Sequence, residues 1–216
     1  MPVATVKICG VKDPATLDAV AEAGAAYVGF VFFPASPRAV SAAVAATLVL
    51  RHPGGPMSVG LFVDPSDDAV AAVLDVVPLG ALQVHASRAR AAALRARFGV
   101  PVWHAVGVGG SGDLPTDLVG VDRVLLDHKA PAGAALPGGN ASPFEWSVLR
   151  GWSAPGPWIL AGGLDPGNVV EAIGVTGATV VDVSSGVERV RGEKDAGLIR
   201  AFVAAAHGAT GVGVGR

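Results

Sequence analysis

The sequence has few charged residues and a single cysteine among its 216 residues. Asp, Glu, Lys and Arg make up 16% of the chain, against about 25% in typical soluble domains. Because Cys9 is the only cysteine, an internal disulfide and a cysteine-rich metal site are both excluded. The hydrophobic fraction of 51% argues against extensive disorder, and the length fits one domain or two small ones.

An excess of charge of either sign is also missing. The formal net charge is −2, and no basic cluster is present that would indicate nucleic-acid binding. Every uncharged stretch is shorter than the roughly 20 apolar residues of a spanning helix, and Gly or Pro interrupts each one. The N-terminus has Lys7 inside its apolar run and lacks a signal-peptide pattern. We therefore expect a cytoplasmic protein without membrane or nucleic-acid partners, in which any anionic ligand is held by a focused site.

Short runs of Val, Ile, Leu and Phe alternate with Ala-rich segments of helical character. The predicted strands are 3–9, 27–33, 58–63, 81–84, 102–106, 123–127, 158–161 and 179–183, and the predicted helices are 14–23, 42–51, 67–76, 87–98, 144–150, 166–173 and 195–206. Continuously apolar strands are typical of a parallel sheet covered on both faces. Eight units favour a single (β/α)8 TIM barrel, an α/β fold, over an open flavodoxin-like sheet. We predict that residues 1–207 form this barrel and that 208–216 are a flexible tail.

Polar residues follow the predicted strands at their C-terminal ends, where a barrel of this kind places its chemistry. They are Cys9, Arg38, His85, Asp127, Asp182, Ser184 and Ser185, and the glycines Gly162, Gly163 and Gly186 lie beside them. The turns after strands seven and eight are rich in glycine and can present backbone N–H groups to an anion. We predict a phosphate site there, although two ordinary glycine turns would look the same.

Two of these residues suggest acid–base chemistry. A lone buried cysteine is usually a packing residue. However, Lys7 lies two positions before Cys9, on the same face of the strand, and its ammonium could lower the pKa of the thiol. Asp127 ends a strand and precedes a Gly/Pro-rich loop, 128–143, that we predict to be a mobile lid. Arg38 is either a surface residue or a clamp for a substrate carboxylate.

The motifs resemble those of the phosphoribosylanthranilate isomerase family, in the family's order, from about Lys7 to Asp195. They are Lys7-Ile8-Cys9-Gly10, Gly29-Phe30, Phe33-Pro34-Ala35-Ser36-Pro37-Arg38, Val59-Gly60-Leu61-Phe62-Val63, Leu82-Gln83-Val84-His85, Leu125-Leu126-Asp127, Phe144-Glu145-Trp146, Leu160-Ala161-Gly162-Gly163-Leu164 and Asp182-Val183-Ser184-Ser185-Gly186-Val187-Glu188. Together these motifs are far more specific than any one of them.

The resemblance implies an Amadori rearrangement in tryptophan biosynthesis, on a phosphorylated aminosugar and without metal or organic cofactor. It implies Cys9 as general base, Asp127 as general acid, Arg38 on the anthranilate carboxylate and Asp182 on the sugar hydroxyls. The phosphate would be held by the two glycine turns: Gly162, Gly163, Ser184, Ser185 and Gly186. We group His85 and Lys7 with the substrate-binding residues.

Departures from the family pattern fall at Ala86, where glycine is usual, and in the lid segment Gly138-Gly139-Asn140-Ala141. They predict an active enzyme with a raised KM. Two alternatives stay open. One is the related aminoaldose isomerase of histidine biosynthesis, or a dual-substrate form, although that family carries Asp where Cys9 stands. The other is a phosphosugar-binding barrel without catalysis. The assembly is expected to be a monomer or a homodimer.

Overall fold

The structure is a computed structural model that describes residues 3–129 and 145–209. Eight parallel strands close into a barrel in sequence order, with β1 paired to β8. The strands are β1 Thr5–Cys9, β2 Tyr27–Val31, β3 Met57–Val63, β4 Ala81–His85, β5 Val102–Val108, β6 Arg123–His128, β7 Trp158–Leu160 and β8 Val180–Val183. The predicted (β/α)8 barrel is therefore confirmed.

Alternate residues of each strand pack on opposite faces of the sheet, as the strand period requires. The larger apolar cluster joins the outward side chains, such as Val6, Phe30 and Leu126, to the helices. A smaller cluster, with Val59 and Leu125 among its members, fills the inside of the barrel. The inside is therefore a packed core, and polar side chains are left for its mouth.

Six α-helices surround the described part of the barrel. They are α1 Pro14–Glu22, α2 Ala42–Val49, α3 Asp67–Leu74, α4 Arg88–Phe98, α5 Val169–Thr176 and α6 Ala196–Gly208. Short polar side chains cap several N-termini; Asp13, for example, accepts a hydrogen bond from the Thr16 N–H. The helix predicted over 166–173 begins three residues later than expected, because Asp165 accepts hydrogen bonds from the N–H groups of Gly167 and Asn168 in a turn.

Two barrel units have no α-helix in the described residues. The Gly-rich segment after β5 contains only a short 3-10 helix, Ser111–Asp113. The helix predicted over 144–150 is a four-residue 3-10 helix, Trp146–Leu149. The lid predicted over 128–143 lies outside the described residues from position 130 onward.

The segment between β8 and α6 adds a feature that the sequence did not predict. Strands β9 Glu188–Val190 and β10 Glu193–Lys194 form a small antiparallel hairpin. At the other end of α6 the helix continues through Gly208, one residue beyond the predicted domain end, and residues 210–216 lie outside the described part of the chain. No helix among residues 3–129 and 145–209 is long and apolar enough to cross a membrane.

Gly174 offers a test of the helix assignment at α5. It is exposed within the helix, and a Cβ built there would have no atom outside the helix within 4 Å. Since glycine weakens a helix interior, Gly174→Ala should raise the free energy of unfolding by about 0.5–1 kcal/mol. Chemical denaturation measures the change, and Gly177→Ala is the control. Because Gly177 has φ of 68°, its substitution should destabilise the protein. Equal effects of the two substitutions would contradict the α5 boundary.

Candidate active site

Asp127 lies on β6 at the mouth of the barrel. Its Oδ1 accepts a hydrogen bond of 2.7 Å from the His128 N–H. Burial, reinforced by the nearby carboxylate of Asp182, raises the pKa of Asp127 to about 7. The carboxyl group is therefore partly protonated near neutral pH, as a general acid requires.

Gly162 makes room for this acid. It has φ of 83°, and a Cβ there would lie 2.6 Å from the His128 nitrogen and 3.0 Å from Asp127 Oδ1. Both the left-handed backbone and the close approach favour glycine at this position. The first glycine of the predicted phosphate turn therefore also shapes the surroundings of the acid.

Cys9, Lys7 and Asp182 form a buried group where β1 and β8 meet. Lys7 Nζ donates to Asp182 Oδ1 at 2.8 Å, and the Lys7 side chain has no solvent-exposed surface. Gly29 lies opposite Cys9 in the neighbouring strand, and a Cβ there would be 2.8 Å from Cys9 Sγ and 3.2 Å from Lys7 Nζ. The absence of a side chain at Gly29 is thus what allows the thiol and the ammonium to lie side by side.

The prediction that Lys7 lowers the pKa of the Cys9 thiol is wrong for the net change. Burial raises the pKa of Cys9 above its ordinary value; Lys7 and Lys194 oppose this change, while Asp182 adds to it. Burial lowers the pKa of Lys7, but Asp182 and Cys9 together more than offset this effect, so the pKa of Lys7 is raised and its side chain stays charged. This buried group therefore favours a neutral thiol beside an ammonium.

His85 ends β4, and its Nε2 lies 3.1 Å from the amide nitrogen of Gln83. Burial and the positive charge of Lys7 lower the pKa of His85 to about 4. At neutral pH the imidazole is uncharged, so any contact that it makes with a ligand is a neutral hydrogen bond. Gln83 Oε1 is buried without a hydrogen-bond partner in the described residues.

The two glycine turns after β7 and β8 meet, as predicted. They line a cavity of about 40 Å³ together with Asp127 and Asp182; the lining residues from the turns include Gly162, Gly163, Ser184 and Ser185. Gly186 packs so closely on the carbonyl oxygen of Leu164 that no side chain fits there. The Ser184 hydroxyl donates to the carbonyl oxygen of Cys9 at 3.1 Å, which ties the second turn to the end of β1.

Arg38 is buried and held by a partner that the sequence did not predict. Its Nε and Nη2 donate to the two carboxylate oxygens of Glu188 at 2.6 and 2.9 Å. The side chain packs on Gly10, where a Cβ would lie 2.7 Å from Arg38 Cδ. Arg38 is thus not a surface residue but is fixed beside the strand end that carries Cys9.

Two further charged residues of the site were not predicted from the sequence. Glu188 ends the last of the family motifs but was given no role, and Lys194 lies in none of them. Burial raises the pKa of Glu188, but Arg38 and Lys194 together outweigh it and lower this pKa to about 2. The only available signal was the position of both residues in a short charged stretch directly after the second glycine turn. Among residues 3–129 and 145–209, no group of three His, Cys, Asp or Glu side chains could hold a metal ion.

Comparison with known proteins agrees with this geometry. The family model of N-(5'phosphoribosyl)anthranilate (PRA) isomerase matches residues 6–205. The N-(5'-phosphoribosyl)anthranilate isomerase of Acidiphilium cryptum is 52% identical over 206 residues, covering 95% of this chain and 100% of that protein. The enzyme of the same name from Granulibacter bethesdensis is 50% identical over 208 residues, covering 96% and 100%.

Solved structures agree as well. TrpF from Jonesia denitrificans superposes with a TM-score of 0.82 at 32% identity, covering 96% of this chain and 98% of that one. A phosphoribosyl anthranilate isomerase in complex with reduced 1-(o-carboxyphenylamino)-1-deoxyribulose 5-phosphate gives a TM-score of 0.81 at 32% identity, covering 95% and 99%. The fold and these similarities define the class of protein: a (β/α)8-barrel aldose–ketose isomerase. The chain belongs to the N-(5'-phosphoribosyl)anthranilate isomerase family.

The raised pKa of Asp127 leads to a stability prediction. An unfolded aspartate titrates near 4, so between about pH 4 and 7 the folded chain binds more protons than the unfolded one, and the contribution of Asp127 to stability falls as pH rises. Asp127→Asn removes this contribution. Relative to wild type, the variant should gain on the order of 4 kcal/mol at pH 8 over its value at pH 4. Urea denaturation at the two pH values measures this difference, and a variant that tracks wild type would contradict the raised pKa.

Proposed function

We propose that this chain catalyses the Amadori rearrangement of N-(5'-phosphoribosyl)anthranilate to 1-(o-carboxyphenylamino)-1-deoxyribulose 5-phosphate. The observation that carries the proposal is the mouth of the barrel, where Asp127, with a pKa of about 7, lines the glycine-turn cavity. Cys9, beside Lys7, ends the strand whose last carbonyl oxygen accepts a hydrogen bond from Ser184 of the second turn. Family membership supports the same reaction.

In the proposed binding mode, the substrate lies across the mouth with one anionic group at each end. Backbone N–H groups of the two glycine turns hold the phosphate: Gly162, Gly163, Ser184, Ser185 and Gly186. Arg38 binds the anthranilate carboxylate with the part of its guanidinium that Glu188 leaves open. Asp182 accepts from the sugar hydroxyls, and Lys7 and neutral His85 complete the polar lining.

The reaction then requires two proton transfers by this chain. Asp127 donates its proton to the furanose ring oxygen, the bond from that oxygen to C1' breaks, and the nitrogen lone pair forms the Schiff base. Cys9, as thiolate, removes the proton from C2', and the electron pair neutralises the iminium to give an enolamine. The enolamine takes a proton at C1' and loses one from the C2' hydroxyl, which yields the ketone. No electrons leave the substrate, so the step needs no redox cofactor.

The two alternatives predict different behaviour. The aminoaldose substrate of histidine biosynthesis carries a second phosphate and would need a second anion site at this mouth. The histidine-pathway family also carries Asp at the end of the first strand, where this chain has Cys9. A binding protein without catalysis needs neither an acid with a pKa near 7 nor a thiol beside an ammonium. Both features favour the tryptophan-pathway reaction.

Turnover of freshly prepared phosphoribosylanthranilate, followed by the decay of its fluorescence, tests the proposal. Cys9→Ser and Asp127→Asn should each lower kcat by roughly 10²–10⁴-fold, because each removes one proton-transfer group. Exposed Asp75→Asn is a matched control and should leave kcat unchanged. Equal rates for wild type and both site variants would show that the mechanism is wrong. Comparable turnover of the histidine-pathway substrate would establish a dual-substrate enzyme instead.

A pH profile tests the two protonation states together. The active form needs protonated Asp127 and ionised Cys9, yet the pKa of Asp127 lies near 7 and that of Cys9 above its ordinary range. We expect kcat/KM to rise up to about pH 7, to stay level, and to fall above the pKa of the thiol. A profile that falls directly above pH 7 would mean that Cys9 is already ionised in the free site. Steady-state kinetics across this range, with the fold checked by circular dichroism, measures it.

Assembly, location and lid behaviour remain proposals. One similar structure is of mutually generated monomers of a dimeric isomerase from Thermotoga maritima, and for this chain we propose a monomer or a homodimer. A cytoplasmic location and a KM raised by the altered lid sequence likewise stay predictions. The altered positions at 138–141 lie outside the described residues.

A further inference from the structure

The β9–β10 hairpin places two charged side chains below the surface without an assigned role. The side chains of Glu188 and Lys194 are only 3% and 2% exposed, and they pair at 2.8 Å. Removing such a pair from water costs free energy that the pair alone does not always recover. Their contacts beyond each other are therefore informative.

Glu188 connects the hairpin to Arg38. Its Oε1 and Oε2 accept from Arg38 Nε and Nη2, and Oε2 also accepts from the Gly192 N–H at 3.0 Å. This bidentate pair fixes the plane of the guanidinium and leaves Nη1 as the donor group for a ligand. Without Glu188, the Arg38 side chain would keep its packing on Gly10 but lose this orientation.

Lys194 connects the same hairpin to the other end of the site. Its Nζ donates to the backbone oxygen of Ser184 at 2.8 Å and lies 3.2 Å from the Ser184 hydroxyl. That hydroxyl in turn donates to the backbone oxygen of Cys9 at 3.1 Å. One ammonium thus touches the second glycine turn directly and the end of β1 through a single hydroxyl.

We propose that Glu188 and Lys194 are positioning residues that tie Arg38, Cys9 and the Ser184 turn into one unit. This inference rests on the proposed function, because it assigns Arg38 and Ser184 to the two anionic ends of that substrate. Binding at either end then depends on the same ion pair, and the carbonyl of Cys9 lies between them. The competing view is that the pair only stabilises the hairpin.

Kinetics of Glu188→Gln separate these views. Loss of the charged partner should loosen Arg38 and raise KM for phosphoribosylanthranilate about tenfold, while kcat changes less than about threefold. Glu193→Gln is the matched control on the same hairpin, since Glu193 pairs only with exposed Arg189 in the described residues. The control should leave KM and kcat unchanged. A KM at the wild-type value in folded Glu188→Gln would overturn the assignment of Glu188.

Titration of the single thiol tests Lys194 without any substrate. The charged groups that face Cys9 are Lys7 on its own strand, Asp182 on β8 and Lys194 on β10. Lys194→Met removes one of the two cations, so at a fixed alkaline pH the thiolate absorbance should fall about threefold or more. Arg189→Met is the control and should titrate as wild type. An unchanged titration in a folded Lys194→Met variant would overturn the role of Lys194.

The double variant Glu188→Gln/Lys194→Met covers the case in which a single variant does not fold, because it leaves neither member of the pair as a lone buried charge. A double variant that folds but shows the raised KM and the weaker thiolate signal supports the proposal. A double variant that unfolds would assign the pair to stability alone and overturn it. Absence of turnover by the wild-type protein would instead refute the proposed function, while the thiol titration would still test Lys194.

Discussion

The ion pair between Lys7 and Asp182 is the interaction on which the rest of the site depends. These residues are register partners in β1 and β8, the two strands whose pairing closes the barrel. The pair is almost fully buried, so breaking either half would leave a lone charge inside the protein, which is strongly destabilising. Barrel closure and site electrostatics are therefore one constraint: the seam must hold an ammonium and a carboxylate side by side, and both charges act on Cys9 and on Asp127.

That constraint explains why the acid and the base have unusual protonation states. Asp182 raises the pKa of Asp127 and also that of Cys9, while Lys7 opposes both changes. Burial outweighs these charges in each case, so both groups stay neutral at pH values where exposed ones would begin to ionise. Near neutral pH the acid is partly protonated, and the thiolate is the scarcer of the two active forms.

The fold and the residues of the mouth were predictable from the sequence, whereas their partnerships were not. The continuously apolar strands predicted the eight-stranded barrel. The position of Cys9, Asp127, Asp182 and the glycine turns at strand ends predicted that they lie at its mouth. The failures come from contacts, local and long-range, and from burial. Asp165 forms a local turn with Asn168, so its helix starts late. Arg38 meets Glu188 across 150 positions of the chain. The thiol pKa depends on burial and on Asp182, neither of which strand periodicity can quantify.

The charges of the mouth also explain how a chain of net charge −2 can hold a substrate with two anionic groups. Lys7, Arg38 and Lys194 are buried cations there, opposed by the carboxylates of Asp182 and Glu188. With Asp127 protonated near neutral pH, one positive charge remains in excess. A phosphate entering the glycine-turn cavity, which Asp127 also lines, would raise the pKa of this carboxyl further by like-charge repulsion. Substrate binding would then hold the acid in its protonated form, so the phosphate far from the reacting carbon would contribute to the first proton transfer.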